Sequence, residues 1–393
     1  MAESRELTGT DDVIALLRTK GVTRVCEVIE TWAEQERWPD IVALAAALEE
    51  QAPETGPERA KFEAALDHLE DQVSITPSDA AIDAILLLAT RERKRSVVIP
   101  RTRSMRMSAF ASRLGYGQTP EAFLGALERA GGRTEHQELF ACWLQEAVLR
   151  GVALAGDARA TGFRDTLAAA GHPLAALPLE LQGAEREAPT YMPLYGDRGL
   201  GRAIDTLASG SISVRSIPPP AEGDAVVPVP FEDRSTTDRI AAAVRPWSDG
   251  KNGRLEVKLF TLAPPVRGGT VGGWLVRALP LESISGAAPI DCSRVLVEGV
   301  FGPLFAAGSN GGAYSAGLGG AYGRLAAWTS LGALAGAPEG ADVASIESAA
   351  ADCTFLSFRS GGPWFHDIAW DLGLVALRPG GGTVAVLAAT DAE

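Results

Sequence analysis

Cysteine and histidine are scarce in this sequence, and their scarcity excludes several kinds of site. Among 393 residues there are four cysteines, Cys26, Cys142, Cys292 and Cys353, and no two of them form a CxxC pair. Such spacing is neither a disulfide framework nor a zinc knuckle, and it favours a reducing compartment. The four histidines lie far apart, without HxH or HxxxH spacing, so we expect no metal site and no cofactor.

Long apolar runs are also missing. The amino terminus, MAESRELTGTDD, is acidic and polar, whereas a secretory signal begins with basic residues and continues with an apolar run. A membrane-spanning helix would require about eighteen uninterrupted apolar residues, and no such window occurs. Together with the cysteine usage, these absences predict a cytoplasmic protein without a membrane partner.

Positive charge is in deficit over the whole chain. There are 36 lysines and arginines against 50 aspartates and glutamates, which gives a net charge of −14. General nucleic-acid binding requires a basic surface that neutralises phosphates, and an anionic membrane repels an acidic protein. We therefore expect another protein as the partner and disfavour nucleic acid and membranes.

One segment reverses this charge balance. Residues 1–80 carry 18 acidic and 7 basic side chains, whereas residues 91–113 carry 8 basic side chains and 1 acidic one. The segment could be a docking patch for nucleic acid or for an acidic partner. Alternatively, it lies beside the acidic arm, residues 1–80, or in solvent. Phe110 is its only aromatic residue, so a base-stacking platform is absent. The candidate basic patch consists of Arg91, Arg93, Lys94, Arg95, Arg101, Arg103 and Arg106.

The pattern of apolar residues divides the chain into three parts. Residues 1–172 show successive amphipathic helical patterns with short connections, which predict an irregular helical array with HEAT-like stacking. Residues 173–235 are rich in proline and predict a linker or a wrapping segment. Residues 236–393 mix helix and strand patterns and predict an α+β domain with a mixed α/β sheet. The expected fold class is therefore multidomain, α and α+β.

Several strands are predicted within the last part of the chain. The segment RLEVKLFTL alternates between apolar and polar residues, as a half-buried strand does, and GTVGGWLVRALPL is predicted to pair beside it. The segments CTFLSFR, FHDIAWDLGLVALRP and GTVAVLAAT predict three more strands. The last two of these are joined by RPGGGT, which has enough glycine for a hairpin turn.

A glycine-rich stretch surrounds a single charged residue. Between Gly299 and Pro338, eleven of forty residues are glycine, and Arg324 is the only charged side chain. The flanking segments VFGPLFAA and LAAWTSLGALAG are apolar, so we expect Arg324 to enter a core or line a cavity. A buried charge requires an opposite charge nearby, because desolvation is otherwise too costly.

Two kinds of partner for Arg324 stay open. The internal partner is Asp367 or Asp371, which would share one strand face and could fork around the guanidinium. The external partner is a small anionic ligand, held by a glycine-rich loop that opens a helix near residues 317–320. The candidate ligand-binding residues are Gly312, Tyr314, Ser315, Gly319, Gly320, Tyr322, Arg324, Trp328, His366, Asp367 and Asp371.

No catalytic set emerges from the spacing. Cys353, His366 and an aspartate are the residue types of a thiol hydrolase, but nothing in the sequence brings them together. Ser315 lies outside a GxSxG motif. We therefore name no catalytic residue and expect a non-enzymatic protein-interaction or regulatory module. The alternative is a small-molecule-binding protein or enzyme that uses Arg324 and the glycine-rich loop to hold an anionic ligand.

Two motifs carry a resemblance to a known family. The segments GGAYSAGLGGAYGRLAAW and WFHDIAWDLGLVALRPGGGTVAVLAATD resemble the domain-of-unknown-function family 6183, a group of actinobacterial proteins. The resemblance covers roughly the last hundred residues and implies no activity.

Overall fold

The structure of this protein is a computed structural model with two compact units. The chain divides between His172 and Pro173; the first unit is helical, and the second combines helices with one sheet. The predicted fold class, multidomain α and α+β, is confirmed. The structure describes residues 9–91, 102–186, 212–213, 217–220, 226–249, 253–286, 289–312, 315–365 and 371–391.

The first unit is built from amphipathic helices joined by short loops. Its described helices are α1 (Thr10–Lys20), α2 (Val22–Glu34), α3 (Trp38–Gln51), α4 (Pro57–Ile75), α5 (Asp79–Thr90), α6 (Arg103–Gly117), α7 (Pro120–Ala130), α8 (Gln137–Leu149) and α9 (Ala158–Ala169). Gly21 ends α1, where a positive φ suits glycine. Thr102, Thr119 and Asp157 cap α6, α7 and α9 by accepting hydrogen bonds from first-turn N–H groups.

Most packing contacts in the first unit join helices that are one or two places apart along the chain. Helix α4 contacts α2, α3, α5 and α6, and α8 contacts α6 and α9. Every residue of α8 from Leu139 to Leu149 is buried, and the Trp143 ring lies 5.0 Å from that of Phe123 and 5.9 Å from that of Phe140. Burial of apolar stripes between successive helices holds this array together.

The second unit is organised around one antiparallel sheet. Its strands are β1 (Ile212–Ser213), β2 (Val227–Phe231), β3 (Arg254–Ala263), β4 (Ile290–Val295), β5 (Thr354–Ser360), β6 (Asp371–Leu377) and β7 (Thr383–Thr390). Their order in the sheet is β1-β4-β5-β6-β7-β3-β2. The predicted β3, β5, β6 and β7 are confirmed, as is the glycine hairpin between the last two, where Gly380 and Gly381 have positive φ.

Both faces of the central strands are covered. Alternate residues such as Val375, Val384 and Val386 pack into a layer formed by residues 266–284. The helices of this unit are α10 (Gly183–Arg186), α11 (Arg234–Ile240), α12 (Arg245–Asp249), α13 (Gly273–Ala278), α14 (Val297–Asn310), α15 (Gly319–Ala335) and α16 (Val343–Ala351). Helices α14 and α15 contact strands of the sheet, and the alternation of side chains places them on the other face.

One predicted strand is wrong, and the observed strands β1, β2 and β4 were not predicted. The segment GTVGGWLVRALPL forms a short 3-10 turn and α13 instead of pairing beside β3, because its apolar side chains Leu275 and Val276 cover the sheet from one side. A short apolar run satisfies either geometry, and packing decides between them. Strand β4 has a mixed, partly exposed pattern that carries little strand signal.

The start of the proline-rich segment belongs to the second unit. Pro173–Ala176 forms a 3-10 turn that contacts α15. Leu174, Leu177 and Leu179 are buried, so these three leucines anchor this part of the chain to the core of the unit. The short helix α10 follows and contacts α14.

Candidate functional site

The glycine-rich stretch forms the tip of a helical hairpin between α14 and α15. Gly311 ends α14 with a positive φ, and α15 begins at Gly319, also with a positive φ. The tip is held by hydrogen bonds from Leu318 N to Gly308 O (2.8 Å) and from Gly312 N to Ser315 Oγ (2.9 Å). The predicted helix start near residues 317–320 is therefore confirmed.

Glycine lets the two helices of this hairpin approach each other closely. The Cα of Gly323 in α15 lies against the main chain of α14, where a Cβ would come within 2.7 Å of both Cα and N of Ser309. A Cβ on Gly308, across the contact, would be 3.4 Å from the Cα of Gly323. These small residues have a steric role in packing.

Substituting Gly323 with alanine is expected to lower the free energy of unfolding by about 2 kcal/mol, because the new methyl group would strike main-chain atoms that cannot move aside. Helix propensity alone would stabilise the variant by about 1 kcal/mol, so the sign of the change is diagnostic. The measurement is urea unfolding of the full chain.

The matched control is Gly332→Ala in the same helix. There a Cβ would be 3.0 Å from Cγ1 of Ile346, a side chain that can adjust, and we expect a change within roughly 0.5 kcal/mol. Equal stability of the two variants would show that the helices do not need close contact at Gly323.

Arg324 is fully buried, as the sequence predicts, and its partner is Glu185. The side chain is 0% exposed. Arg324 Nε donates to Glu185 Oε1 at 2.5 Å and Nη2 donates to Glu185 Oε2 at 2.8 Å. This two-point geometry is the strong form of a charge-assisted pair. In the described structure, the internal partner of Arg324 is thus the carboxylate of Glu185, which lies in α10 within the proline-rich segment.

The remaining contacts of this ion pair come from main-chain carbonyls and one indole. Arg324 Nη1 donates to Pro178 O at 2.9 Å, and Nη2 donates to Glu180 O at 3.0 Å. Trp328 Nε1 donates to Glu185 Oε1 at 2.7 Å, and Gln182 N donates to Glu185 Oε2 at 2.8 Å. The pair therefore fastens residues 178–185 to α15, and we call it the Arg324–Glu185 clamp.

Asp371, one of the two carboxylates expected at Arg324, has a described hydrogen bond within the sheet. Asp371 is buried on β6, where it accepts a hydrogen bond from Thr390 Oγ1 on the adjacent strand at 2.5 Å. Asp367 lies outside the described residues, as do His366 and Tyr314. Glu185 was not expected at Arg324, because it is 139 positions away in the chain and no local pattern connects the two residues.

The other described candidate residues lie in packed parts of the second unit. Gly312 lies against Asp391, whose Oδ2 would be 2.0 Å from an added Cβ. Gly319 and Gly320 are buried in the first turn of α15, Tyr322 is half-buried, and Trp328 is buried against Phe301 with ring centroids 4.8 Å apart. This geometry favours packing over ligand contact around Arg324.

The cysteine thiols are in environments that oppose nucleophilic chemistry. Burial raises the pKa of Cys353 to about 11 and that of Cys292 to about 12, and it raises the pKa of Cys142 well above its ordinary value. A thiol with such a pKa stays protonated near neutral pH, whereas the thiolate is the nucleophile. Cys353 donates to Ala349 O at 3.3 Å.

The basic patch is only partly described, and its described members differ. Arg103 is exposed and donates to Glu135 O at 3.2 Å. Arg106 is buried and pairs with Glu70 of α4 at 2.7 Å, which fits the interpretation that helices place this segment beside the acidic arm. Arg91 is exposed at the end of α5. The members outside the described residues are Arg93, Lys94, Arg95 and Arg101.

An exposed apolar stripe lies on β2, at one edge of the sheet. Val227, Val229 and Phe231 are 56%, 50% and 38% exposed, and they share one face of the strand because side chains alternate. These residues are not among the candidate site residues predicted from the sequence, although the apolar run VPVPF marks the strand. We call these three residues the β2 stripe.

The prolines of β2 face the open edge of the sheet. Leu262 N donates to Gly382 O, on the side of β7. Successive residues direct their main-chain groups to opposite sides of a strand, so the main-chain groups of Thr261 and of every second residue from it point towards β2. There these residues pair with Val227, Val229 and Phe231. The main chain at Pro228 and Pro230 then points outward, and proline has no N–H to offer an incoming strand. The edge is therefore poorly suited to strand addition.

None of the described helices is both long and apolar enough to cross a membrane. Within the described part of the chain, no three histidine, cysteine, aspartate or glutamate side chains come together in a way that could hold a metal ion.

Comparison with known proteins identifies the family. The model of a family of unknown function, DUF6183, matches residues 23–393, so the chain belongs to this family. The match extends the predicted resemblance from the last hundred residues to both units. No curated protein and no solved structure matches the chain.

Proposed function

We propose that this member of the DUF6183 family is a non-enzymatic protein-binding module and that the β2 stripe is its contact surface. The exposed apolar side chains of Val227, Val229 and Phe231 carry the proposal. Contiguous apolar residues on a surface are typical of a protein-interaction site. The raised pKa values of Cys292 and Cys353 support a role other than thiol catalysis.

The expected occupant is a different protein that carries an apolar contact surface and a net positive charge. Pro228 and Pro230 disfavour strand addition, so the partner would contact side chains instead of extending the sheet. A second copy of this chain would also carry a charge of −14, and like charges oppose association. A basic protein would instead be attracted by the acidic surface.

Site-directed photocrosslinking in the native host tests this surface. A benzoylphenylalanine at Val229 should give one main adduct with a basic protein, whereas the same group at Leu296 should not. Leu296 is the matched control because it is 61% exposed and precedes α14, away from β2. The adduct is identified by mass spectrometry, and the identified protein is then purified.

Binding of the purified partner decides the outcome. Phe231→Ser should raise the dissociation constant roughly 30-fold, as loss of an aromatic contact does. Leu296→Ser should leave the dissociation constant unchanged. Added salt should also weaken binding. An adduct between two copies of the chain, identical adducts at both positions, or no adduct at Val229 would each overturn the proposal.

A further inference from the structure

A cleft lies at one end of the sheet, remote in sequence from the Arg324–Glu185 clamp and the β2 stripe. Its volume is about 490 Å³, within the size range of small-molecule sites. Three segments of the second unit line it: the loop after β3, the turn into β5 and the β6–β7 hairpin. The lining residues are Pro265, Val266, Arg267, Gly268, Asp352, Thr354, Leu377, Arg378, Pro379, Gly380 and Gly381.

The walls of this cleft are fixed to each other. Val266 N donates to Gly381 O at 2.9 Å, and Gly381 has a φ of 69° at a point where a Cβ would be 1.9 Å from Val266 O. On the other side, a Cβ on Gly268 would be 2.3 Å from Thr354 Oγ1. Arg294 Nη2 donates to Gly268 O at 2.7 Å. The cleft is therefore preformed, which lowers the entropy cost of binding.

Arg378 is held in place with part of its guanidinium still available. Its Nε donates to Leu334 O at 3.1 Å and its Nη2 to Ala333 O at 2.8 Å, at the carboxyl end of α15. The closeness of Gly336 to Nε, where a Cβ would be 2.9 Å away, fixes the side chain further. Within the described chain, Nη1 makes no hydrogen bond.

No carboxylate forms an ion pair with Arg378 in the described structure. Burial lowers the pKa of its guanidinium; Cys353 and Asp233 partly oppose that shift and Arg239 adds to it. Asp233 itself caps α11 by accepting hydrogen bonds from Thr236 N and Oγ1. A desolvated cation without a close counter-ion is costly, and a bound anion would remove this cost.

Charge across the cleft favours an anion. Arg267 is an exposed lining residue from the loop after β3 and, like Arg378, forms no ion pair with a described carboxylate. Asp352 is the one acidic side chain among the lining residues, so the lining carries a net charge of +1, from two arginines and one aspartate. We propose that this cleft binds a small molecule through a phosphate or carboxylate group placed between Arg267 and Arg378.

Isothermal titration calorimetry of the full chain tests the proposal with two probes, inorganic phosphate and malonate. Phosphate and dicarboxylate share the anionic oxygens that arginine recognises, and the preferred probe identifies the class of ligand. Wild-type protein should bind at least one of the two. Arg267→Ala should weaken that binding by about 10-fold or more, the effect of losing a charge-assisted hydrogen bond.

A second variant makes the test independent of folding defects. Asp352→Asn removes the negative charge at the rim and should tighten anion binding by about threefold. Asp352 and Arg267 are exposed, so neither substitution disturbs the core. Arg254→Ala is the matched control, since Arg254 is an exposed arginine at the opposite end of β3.

Three results would overturn the proposal. These are no heat of binding with either probe, unchanged affinity in Arg267→Ala, or an equal loss of affinity in Arg254→Ala. The last result would indicate unspecific attraction of anions to arginines. Because none of these residues belongs to the β2 stripe, failure here is distinguishable from failure of the proposed protein-binding function.

Discussion

Replacing Glu185 with glutamine should lower the free energy of unfolding by about 3–5 kcal/mol, the cost of breaking a buried ion pair from one side. Glutamine keeps the size of the side chain and one carbonyl oxygen, but it removes the charge that neutralises Arg324. The side chains of the pair are 0% and 2% exposed, so water cannot replace the lost carboxylate. Urea unfolding of the full chain measures the loss.

A matched control lies five residues earlier in the same segment. Glu180 is exposed, and its main-chain oxygen accepts from Arg324 while its side chain is not part of the clamp. Glu180→Gln makes the same chemical change and should alter stability by less than roughly 0.5 kcal/mol. Equal losses in the two variants would contradict the clamp.

A double variant separates buried charge from packing. In Glu185→Gln with Arg324→Met, neither charge of the clamp remains, and Met fills much of the space of the arginine stem. We expect this variant to regain at least half of the stability lost in Glu185→Gln, because the cost arises from an uncompensated charge. Hydrogen exchange should show faster opening of residues 178–185 in Glu185→Gln, since the clamp fastens this segment to α15.

Replacing Arg106 with alanine should destabilise the first unit by about 3 kcal/mol. Arg106 pairs with Glu70, which is 1% exposed, and also donates to Arg91 O at 2.8 Å and Leu88 O at 3.2 Å. The side chain thus joins α4 to the carboxyl end of α5, and its loss removes the cation beside a buried carboxylate. Urea unfolding gives the magnitude, and hydrogen exchange in α5 gives the location.

Arg103→Ala is the matched control for Arg106→Ala. Arg103 lies in the same helix, three positions earlier, but is exposed, so its removal should change stability by less than roughly 0.5 kcal/mol. The same pair of variants bears on the basic patch. If the segment bound RNA, a gel shift at low salt would be weakened in Arg103→Ala while the protein remained folded. A loss of stability as large as that in Arg106→Ala would contradict the assignment of Arg103 to the surface.

Much of the fold was predictable because it depends on local patterns. Helical periodicity predicted the first unit, alternation in RLEVKLFTL predicted β3, and the apolar run GTVAVLAAT predicted β7. Leu275 and Val276 mark the limit of this reasoning. A short apolar run can cover a sheet as a helix or join it as a strand, and only the neighbouring layer selects one of them.

The candidate site was also predictable only in part. A lone arginine among glycine, alanine and leucine predicted burial of a cation, since an apolar neighbourhood in the chain indicates an apolar neighbourhood in space. The identity of its partner could not follow, because Glu185 reaches Arg324 only after the leucines of residues 174–179 have packed. The same holds for Arg267 and Arg378, which are far apart in sequence and line one cleft.

The sequence by itself determined the class of most elements, the two kinds of unit and the burial of Arg324, because these depend on spacing and polarity along the chain. Only the tertiary structure decided that Glu185 neutralises Arg324, that Arg106 faces Glu70 inside the array, and that the β2 stripe remains exposed. Each of these depends on contacts between distant segments, and the free energy of such contacts is set by the packing of the whole unit.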